Sequence, residues 1–193
     1  MRESEATVTY ADLEQQSAKM ANKLQQLSVA PGDRVMVQTA KSAQAVILYL
    51  ACLRVGAVYL PLNVAYTTEE LRYFMDDASP RILVCQTASE ETLRPLAQTA
   101  KIEHTLTLSP QGEVSLCEVL DALAGEFTTV NSASSDLAAI LYTSGTTGRS
   151  KGAMLSHKNL ADNALTLHSI WGWRDGDVLL HALPIFHIHG LFV

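Results

Sequence analysis

The residue types best suited to chemistry are concentrated in residues 142–152, which read Tyr-Thr-Ser-Gly-Thr-Thr-Gly-Arg-Ser-Lys-Gly. Glycine lets successive backbone N–H groups turn toward one ligand, and such groups form a concavity that suits an anion. Hydroxyl side chains add hydrogen-bond donors, while Arg149 and Lys151 add positive charge. The apolar run at 137–141 that comes directly before them is typical of a buried strand. Together these features predict a polyphosphate-binding loop at the end of a strand.

The spacing of the glycines excludes the common P-loop, in which a Gly-Lys pair begins five residues after the first glycine. Neither Gly145 nor Gly148 has a glycine at that distance. The apolar triplet 153–155 follows the loop and precedes Ser156, a typical helix cap. We therefore expect a strand–loop–strand hairpin rather than a strand–loop–helix unit. The alternative is a solvated surface turn, in which Arg149 would be an ordinary exposed charge.

A second group of functional residues is the segment 184–190, Pro-Ile-Phe-His-Ile-His-Gly. Residues two apart on an extended segment face the same side, so His187 and His189 are expected to point together. A metal site would need a third ligand of suitable spacing, and none stands nearby, so we predict none. Either ring could also be a core histidine. His157 follows the cap Ser156 and is predicted to be structural, with a phosphate contact as the alternative.

The elements that must position these residues alternate between strand and helix. Short apolar runs predict strands at 7–10, 34–38, 58–60, 81–85, 104–108 and 177–183, and helical spacing predicts helices at about 12–27, 42–56, 67–78, 90–99 and 116–123. This alternation predicts an α/β fold built on a doubly wound, mainly parallel sheet. Trp171 and Trp173 are predicted to lie in the core.

Composition excludes several classes of protein. The net charge of −6 argues against a nucleic-acid binder. No Gly-x-Gly-x-x-Gly occurs, which excludes a dinucleotide-binding oxidoreductase of the Rossmann type. Cys52, Cys85 and Cys117 are odd in number and lack metal spacing, so they predict core positions and a reducing compartment. We expect no signal peptide, no membrane span and a cytoplasmic protein.

Residues 142–152 resemble the signature loop of the adenylate-forming superfamily, which contains acyl-CoA synthetases, luciferases and the adenylation domains of peptide synthetases. The resemblance continues through residues 138–157 and 183–192. Two upstream segments, 10–13 and 53–63, also match, so that it covers essentially the whole chain. Within the superfamily, the chain is most similar to the malonyl-CoA synthetases.

The resemblance implies an ATP-dependent acid–CoA ligase. Its substrate would be a small carboxylic acid, malonate, converted with ATP and CoA to malonyl-CoA, AMP and pyrophosphate through an acyl-adenylate, with Mg²⁺ as the metal cofactor. It further implies that His187 lines the carboxylate pocket and that His189 supports it. The residues expected to hold the β- and γ-phosphates of ATP are Thr143, Ser144, Gly145, Thr146, Thr147, Gly148 and Lys151.

Members of the superfamily are more than twice as long, and this chain ends on apolar residues at 191–193. We therefore expect residues 1–193 to be a partial N-terminal domain, with a connector at 109–136 and the phosphate loop at 142–152. The Mg²⁺ site, the adenine-binding segment and the C-terminal lid would lie downstream, and the chain alone would be inactive. Two alternatives stay open: a noncatalytic truncated protein that binds a nucleotide or a partner, and a ligase for another carboxylic acid.

Overall fold

A single six-stranded sheet organises the chain in the computed structural model, which describes residues 7–108, 115–118, 120–143 and 149–193. Its strands are β1 (Arg34–Gln38), β2 (Val58–Pro61), β3 (Ile82–Cys85), β4 (His104–Thr107), β5 (Leu137–Thr143) and β6 (Lys151–Ser156). They lie in the order β4-β3-β1-β2-β5-β6. Every neighbouring pair is parallel except β5 and β6, which are antiparallel. The predicted mainly parallel α/β sheet is confirmed.

Helices cover both faces of the sheet. They are α1 (Tyr10–Gln26), α2 (Ala43–Val55), α3 (Thr68–Ala78), α4 (Glu90–Thr99), α5 (His157–Trp171) and the short α6 (Ile188–Leu191). One core cluster joins α1 and α2 to the sheet, and a second joins α3 and α4 to the opposite face. Within β1, Val35 and Val37 belong to the first cluster and Met36 to the second, because successive strand residues face opposite sides. The middle of the strand, residues 35–37, is therefore apolar without interruption, as a sheet covered on both faces requires.

The starts of the helices follow the capping signals in the sequence. Thr9 and Thr67 each accept a hydrogen bond from the third residue of the helix that follows, and the side chain of that residue bonds back to the cap. Ser42 caps α2 through the backbone N–H of Ala45. These bonds satisfy N–H groups that have no partner inside the helix.

Three predicted elements are wrong. Residues 7–10 form no strand, because Thr9 is the cap of α1 and Tyr10 already begins that helix. The predicted helix at 116–123 is a turn followed by a short 3-10 helix at Leu120–Ala122, with residue 119 outside the described part. Residues 177–183 form no strand, since no described strand lies beside them to share backbone hydrogen bonds, and Val178 is 93% exposed.

The tryptophans near the end of α5 also differ from the prediction. Trp171 is half exposed, and its ring lies 6.2 Å from that of Trp173, itself partly exposed. No residue of α5 is buried, so the apolar residues of this helix do not form a core. Within the described part of the chain, no helix combines the length and apolar content needed to cross a bilayer.

The buried cysteines make the core testable by thiol labelling. Burial raises the pKa of the Cys52 thiol, and burial together with the nearby Glu90 raises that of Cys85 to about 11. A thiolate is the reactive form, so both should resist a disulfide reagent at pH 8, while the half-buried Cys117 reacts first. Peptide mapping after labelling, with and without urea, measures this order. Fast native labelling of Cys52 would contradict the packing of α2.

Candidate functional site

The predicted phosphate loop joins the two strands of a hairpin. Thr143 ends β5 and Lys151 begins β6, and the two residues are directly opposite each other in the strand register. Side chains of such a pair lie on the same face, with Cβ atoms about 5 Å apart. Both residues are exposed. The predicted strand–loop–strand arrangement is confirmed, whereas Ser144, Gly145, Thr146, Thr147 and Gly148 lie outside the described residues.

The opposite face of the hairpin carries Tyr142 and Gly152, the next pair in the strand register. Tyr142 is buried, and its ring centre lies 4.2 Å from that of Phe74 on α3. Gly152 is required by close packing, because a Cβ there would stand 2.9 Å from Cγ2 of Ile140. The hairpin therefore turns a packed face toward α3 and an open face, with Thr143 and Lys151, away from it.

Two tyrosine hydroxyl groups form hydrogen bonds between α3 and the residues at the two ends of the loop. The Tyr142 hydroxyl donates to Oδ2 of Asp77 at 2.5 Å, and the Tyr73 hydroxyl donates to the carbonyl oxygen of Ser150 at 2.9 Å. Burial and the bond to Asp77 both raise the pKa of Tyr142, which keeps its hydroxyl protonated as a donor. The ends of the loop are thus held by a helix that lies elsewhere in the chain.

The cations around the loop have different surroundings. The guanidinium carbon of Arg149 lies 5.5 Å from the centre of the Tyr73 ring, a cation–π contact. Lys158 forms an ion pair with Asp162 at 2.7 Å on the first turns of α5. Lys151 takes part in none of the ion pairs found among the described residues. Its side chain is exposed at the open end of the hairpin, opposite Thr143.

His157 lies at the other end of the hairpin. Its backbone N–H donates to the carbonyl oxygen of Asp136 at 3.0 Å, and the neighbouring Ser156 pairs with Leu137 at the start of β5. Five strand residues, 152–156, lie between Lys151 and His157, which puts the two residues about 20 Å apart at the usual rise per residue. This distance favours the structural role of His157, and the phosphate contact stays the alternative prediction.

The two histidines predicted to line a substrate pocket lie side by side. His187 caps α6, and its Nδ1 accepts a hydrogen bond from the backbone N–H of His189 at 3.3 Å. The ring centres are 5.9 Å apart with a 30° angle between the planes, and both side chains are exposed. They face one side as predicted, but for a different reason, since α6 begins at Ile188 and the segment is not extended.

Residues 184–190 are called the histidine turn. The turn and the residues on either side of it contact α2 and the segment that follows β1. The ammonium group of Lys41 donates to the carbonyl oxygens of His181 and of Leu183, the latter at 3.1 Å, and lies 2.8 Å from Nδ1 of His181. Ile185 is buried in the core cluster that contains α2. The ring of Phe192 lies 5.7 Å from that of Tyr49 on α2.

Gly190 offers a direct test of how the histidine turn is built. A Cβ at this position would stand 1.9 Å from the carbonyl oxygen of Pro184, a contact that only a backbone shift can relieve. We expect Gly190→Ala to destabilise this turn by about 1–3 kcal/mol, as overpacking typically does, and to shift the unfolding transition of the protein to lower urea. Gly176→Ala is the control for backbone strain alone, because its φ of 88° strains an alanine while no atom lies within 4 Å of the added Cβ. Equal urea transitions for Gly190→Ala and Gly176→Ala would contradict the close contact between Gly190 and Pro184.

The hairpin and the histidine turn meet the same edge of the sheet. Lys41 follows the carboxyl end of β1, and Thr143 is the carboxyl end of β5. Only β2 separates these strands, so their ends are about 10 Å apart at the usual strand spacing. Ligands of open α/β sheets bind outside the carboxyl ends of the strands. The two predicted groups of site residues therefore share the edge where a ligand is expected.

Three residues around this edge escaped the sequence analysis. Lys41, Tyr73 and Asp77 each contact the hairpin or the segment leading to the histidine turn. The position of Lys41, three residues after the end of a predicted strand, was an available signal. Tyr73 and Asp77 lie in an ordinary amphipathic helix, and their local sequence carries no signal of this contact.

The described residues fit a phosphate group and do not fit a bound metal. Thr143 offers a hydroxyl donor and Lys151 a cation on one exposed face, which is the donor set that phosphate oxygens need. No group of three or more His, Cys, Asp or Glu side chains that could hold a metal occurs in the described part of the chain. We therefore derive no step through Mg²⁺ from these residues.

Comparison with known proteins identifies the family. A family model described as AMP-binding enzyme matches residues 1–193. The chain belongs to this family. Among solved structures, the AMP-binding chain resembles ATP-bound MatB from Rhodopseudomonas palustris, with 49% identity and a TM-score of 0.92, over 97% of this chain and 37% of that one.

Named relatives of this AMP-binding chain include CoA ligases for different acids. It is 31% identical to an oxalate–CoA ligase of Arabidopsis thaliana over 95% of its own length and 37% of the relative. It is also 31% identical to the mitochondrial malonate–CoA ligase ACSF3 of Xenopus laevis, over 95% of this chain and 32% of the relative. The chain therefore spans about a third of the length of these relatives.

Proposed function

We propose that this chain is the N-terminal, phosphate-binding part of an AMP-forming acid–CoA ligase whose acid is malonate. The complete protein would join malonate to CoA through a malonyl-adenylate and release AMP and pyrophosphate. The observation that carries the proposal is the open β5–β6 hairpin, with Thr143 and Lys151 on one exposed face at the carboxyl edge of the sheet. The similarity to a structure with bound ATP supports the choice of nucleotide.

The proposed role of the hairpin is to hold the phosphates that leave. Bound ATP supplies an α-phosphorus open to attack by a carboxylate oxygen, and a pyrophosphate leaving group. The ammonium group of Lys151 would lie beside the terminal phosphates and stabilise the negative charge that grows there as the bond breaks. The Thr143 hydroxyl would donate to a phosphate oxygen from the same face. Ser144, Gly145, Thr146, Thr147 and Gly148 would complete the donor set.

The proposed role of the histidine turn is to border the acid. Imidazole N–H groups can donate hydrogen bonds to a carboxylate. His187 and His189 are exposed, and the segment before them bonds to Lys41 after β1, so that a small acid would bind between the turn and the hairpin. His187 would line the pocket, and His189 would hold it through the bond between its backbone N–H and Nδ1 of His187.

The experiment that tests the function compares acids in the complete protein. AMP and pyrophosphate are measured with ATP, CoA and either malonate, acetate or benzoate. We expect malonate to have the highest kcat/KM, with AMP and pyrophosphate formed in equal amounts. AMP formation with none of the acids would overturn the proposed enzyme class, and would favour a noncatalytic nucleotide-binding protein.

Oxalate is the second acid to test in the same assay. One relative at 31% identity is named for oxalate and another, at the same identity, for malonate. Both acids are dicarboxylates and differ by one methylene group, which a pocket distinguishes by about 1–3 kcal/mol. Oxalate is therefore the informative competitor. A higher kcat/KM for oxalate than for malonate would make oxalate the substrate and leave the proposed ligase reaction unchanged.

A further inference from the structure

We propose that helix α3 positions the phosphate-binding hairpin, with Tyr73 and Asp77 as the positioning residues. The inference rests on the proposed role of the hairpin in ATP binding. Neither residue touches the predicted phosphate contacts directly. Each instead holds a residue that adjoins one of them in the chain: Asp77 holds Tyr142 beside Thr143, and Tyr73 holds Ser150 beside Lys151.

The two contacts act on opposite sides of the loop. Asp77 accepts from the side chain of Tyr142 at the end of β5, whereas Tyr73 donates to a backbone carbonyl just before β6. Together the two bonds hold the residues at both ends of the loop against α3. They therefore help to fix where the paired residues Thr143 and Lys151 lie relative to α3.

The ring of Tyr73 adds a third restraint. The guanidinium of Arg149 lies over it, so that two successive loop residues, Arg149 and Ser150, both contact one side chain of α3. A cation held over an aromatic ring keeps its positive charge. Arg149 thus contributes charge near the predicted phosphates from a fixed place, rather than as a freely moving side chain.

The base of this arrangement is rigid. Phe74 is 1% exposed, and its ring contacts those of Tyr73 and Tyr142, with centres 5.6 and 4.2 Å away. Adjacent residues of α3 therefore supply both the packed support and the hydrogen bond. Donor groups that are already held in place bind a charged ligand without an added cost of ordering. Loss of the α3 contacts would remove this preorganisation.

The test measures ATP affinity and steady-state kinetics in the complete protein. Tyr73→Phe keeps the ring and removes only the hydroxyl, and Asp77→Ala leaves the Tyr142 hydroxyl without its acceptor. We expect both to raise the Kd and the KM for ATP, by roughly three- to tenfold for Tyr73→Phe and about tenfold or more for Asp77→Ala. The KM values for the acid and for CoA should stay unchanged. Asp77→Asn retains an acceptor oxygen and should recover most of the affinity.

The matched control is Tyr66→Phe. Tyr66 packs against the same Phe74 ring, with centres 5.0 Å apart, and has no bond to Ser150. We expect Tyr66→Phe to leave the Kd for ATP within twofold of the wild-type value. This holds even if Tyr66→Phe lowers the melting temperature as much as Tyr73→Phe does. Equal ATP affinities in wild type, Tyr73→Phe and Asp77→Ala would overturn the positioning role.

The two proposals fail in different ways. Wild-type protein that binds ATP but forms no AMP with any acid would overturn the ligase function, while the binding constants of the variants would still decide the role of α3. Wild-type protein that does not bind ATP would overturn both. Active wild-type protein with unaffected variants would overturn only the positioning role.

Discussion

Lys151→Ala should lower malonate-dependent pyrophosphate release by about two to three orders of magnitude, the loss typical when one stabilising donor to a developing charge is removed. The structure supplies the reason, because Lys151 is exposed at the open end of the hairpin and has no ion-pair partner in the described part of the chain. Its charge is therefore available for phosphate. The assay is release of pyrophosphate by the complete protein at saturating malonate.

The same substitution should leave the fold intact, since an exposed side chain contributes little packing. The melting temperature checks this point. Lys158→Ala is the matched control, because Lys158 is an exposed lysine whose partner is Asp162 on the same helix. We expect it to retain full activity. A pyrophosphate release rate of Lys151→Ala equal to that of Lys158→Ala would remove Lys151 from the site.

Phe74→Ala should cost about 3–5 kcal/mol of folding free energy, the usual loss for a large aromatic side chain deleted from a core. Phe74 is 1% exposed and lies in the cluster that joins α3 and α4 to the sheet. Its ring contacts three tyrosines, with centres 4.2 to 5.6 Å away. The cavity left behind would be surrounded by rigid rings, which leaves little scope for collapse.

Cys85 provides the readout for this prediction. It is buried in the same cluster, so its labelling in increasing urea reports the opening of that part of the core. We expect the transition of Phe74→Ala to move to clearly lower urea. Tyr10→Ala is the control, since Tyr10 is 91% exposed and its removal should change stability by less than about 0.5 kcal/mol. Equal shifts for the two variants would contradict the packing described for α3.

Local sequence patterns predicted most of the fold. The helix at Glu90–Thr99 and the strand at Arg34–Gln38 have the predicted bounds, and Thr67, the first residue of the helix predicted at 67–78, is the cap of α3. Such signals act over three or four residues, because a cap bonds to the first turn and a strand repeats every second residue. The hairpin was predictable for the same reason, from an apolar run on each side of the loop.

The failed predictions concern segments whose state depends on a partner. Residues 177–183 have the composition of a strand, but a strand also needs a neighbour, and no described strand lies beside them. Trp171 has the composition of a core residue but is half exposed, because no described element covers that side of α5. Composition states which residues can be buried, and the surrounding structure decides which are.

The sequence by itself determined the family, the alternation of strands and helices, and the residue types of the predicted phosphate loop. Only the tertiary structure decided what holds that loop, because the contacts join residues far apart in the chain. Tyr142 and Asp77 are separated by 65 positions, Tyr73 and Ser150 by 77, and Lys41 and Leu183 by 142. Local periodicity cannot encode such pairs. They follow from the strand order, which puts β5 beside β2 and so brings the hairpin against α3.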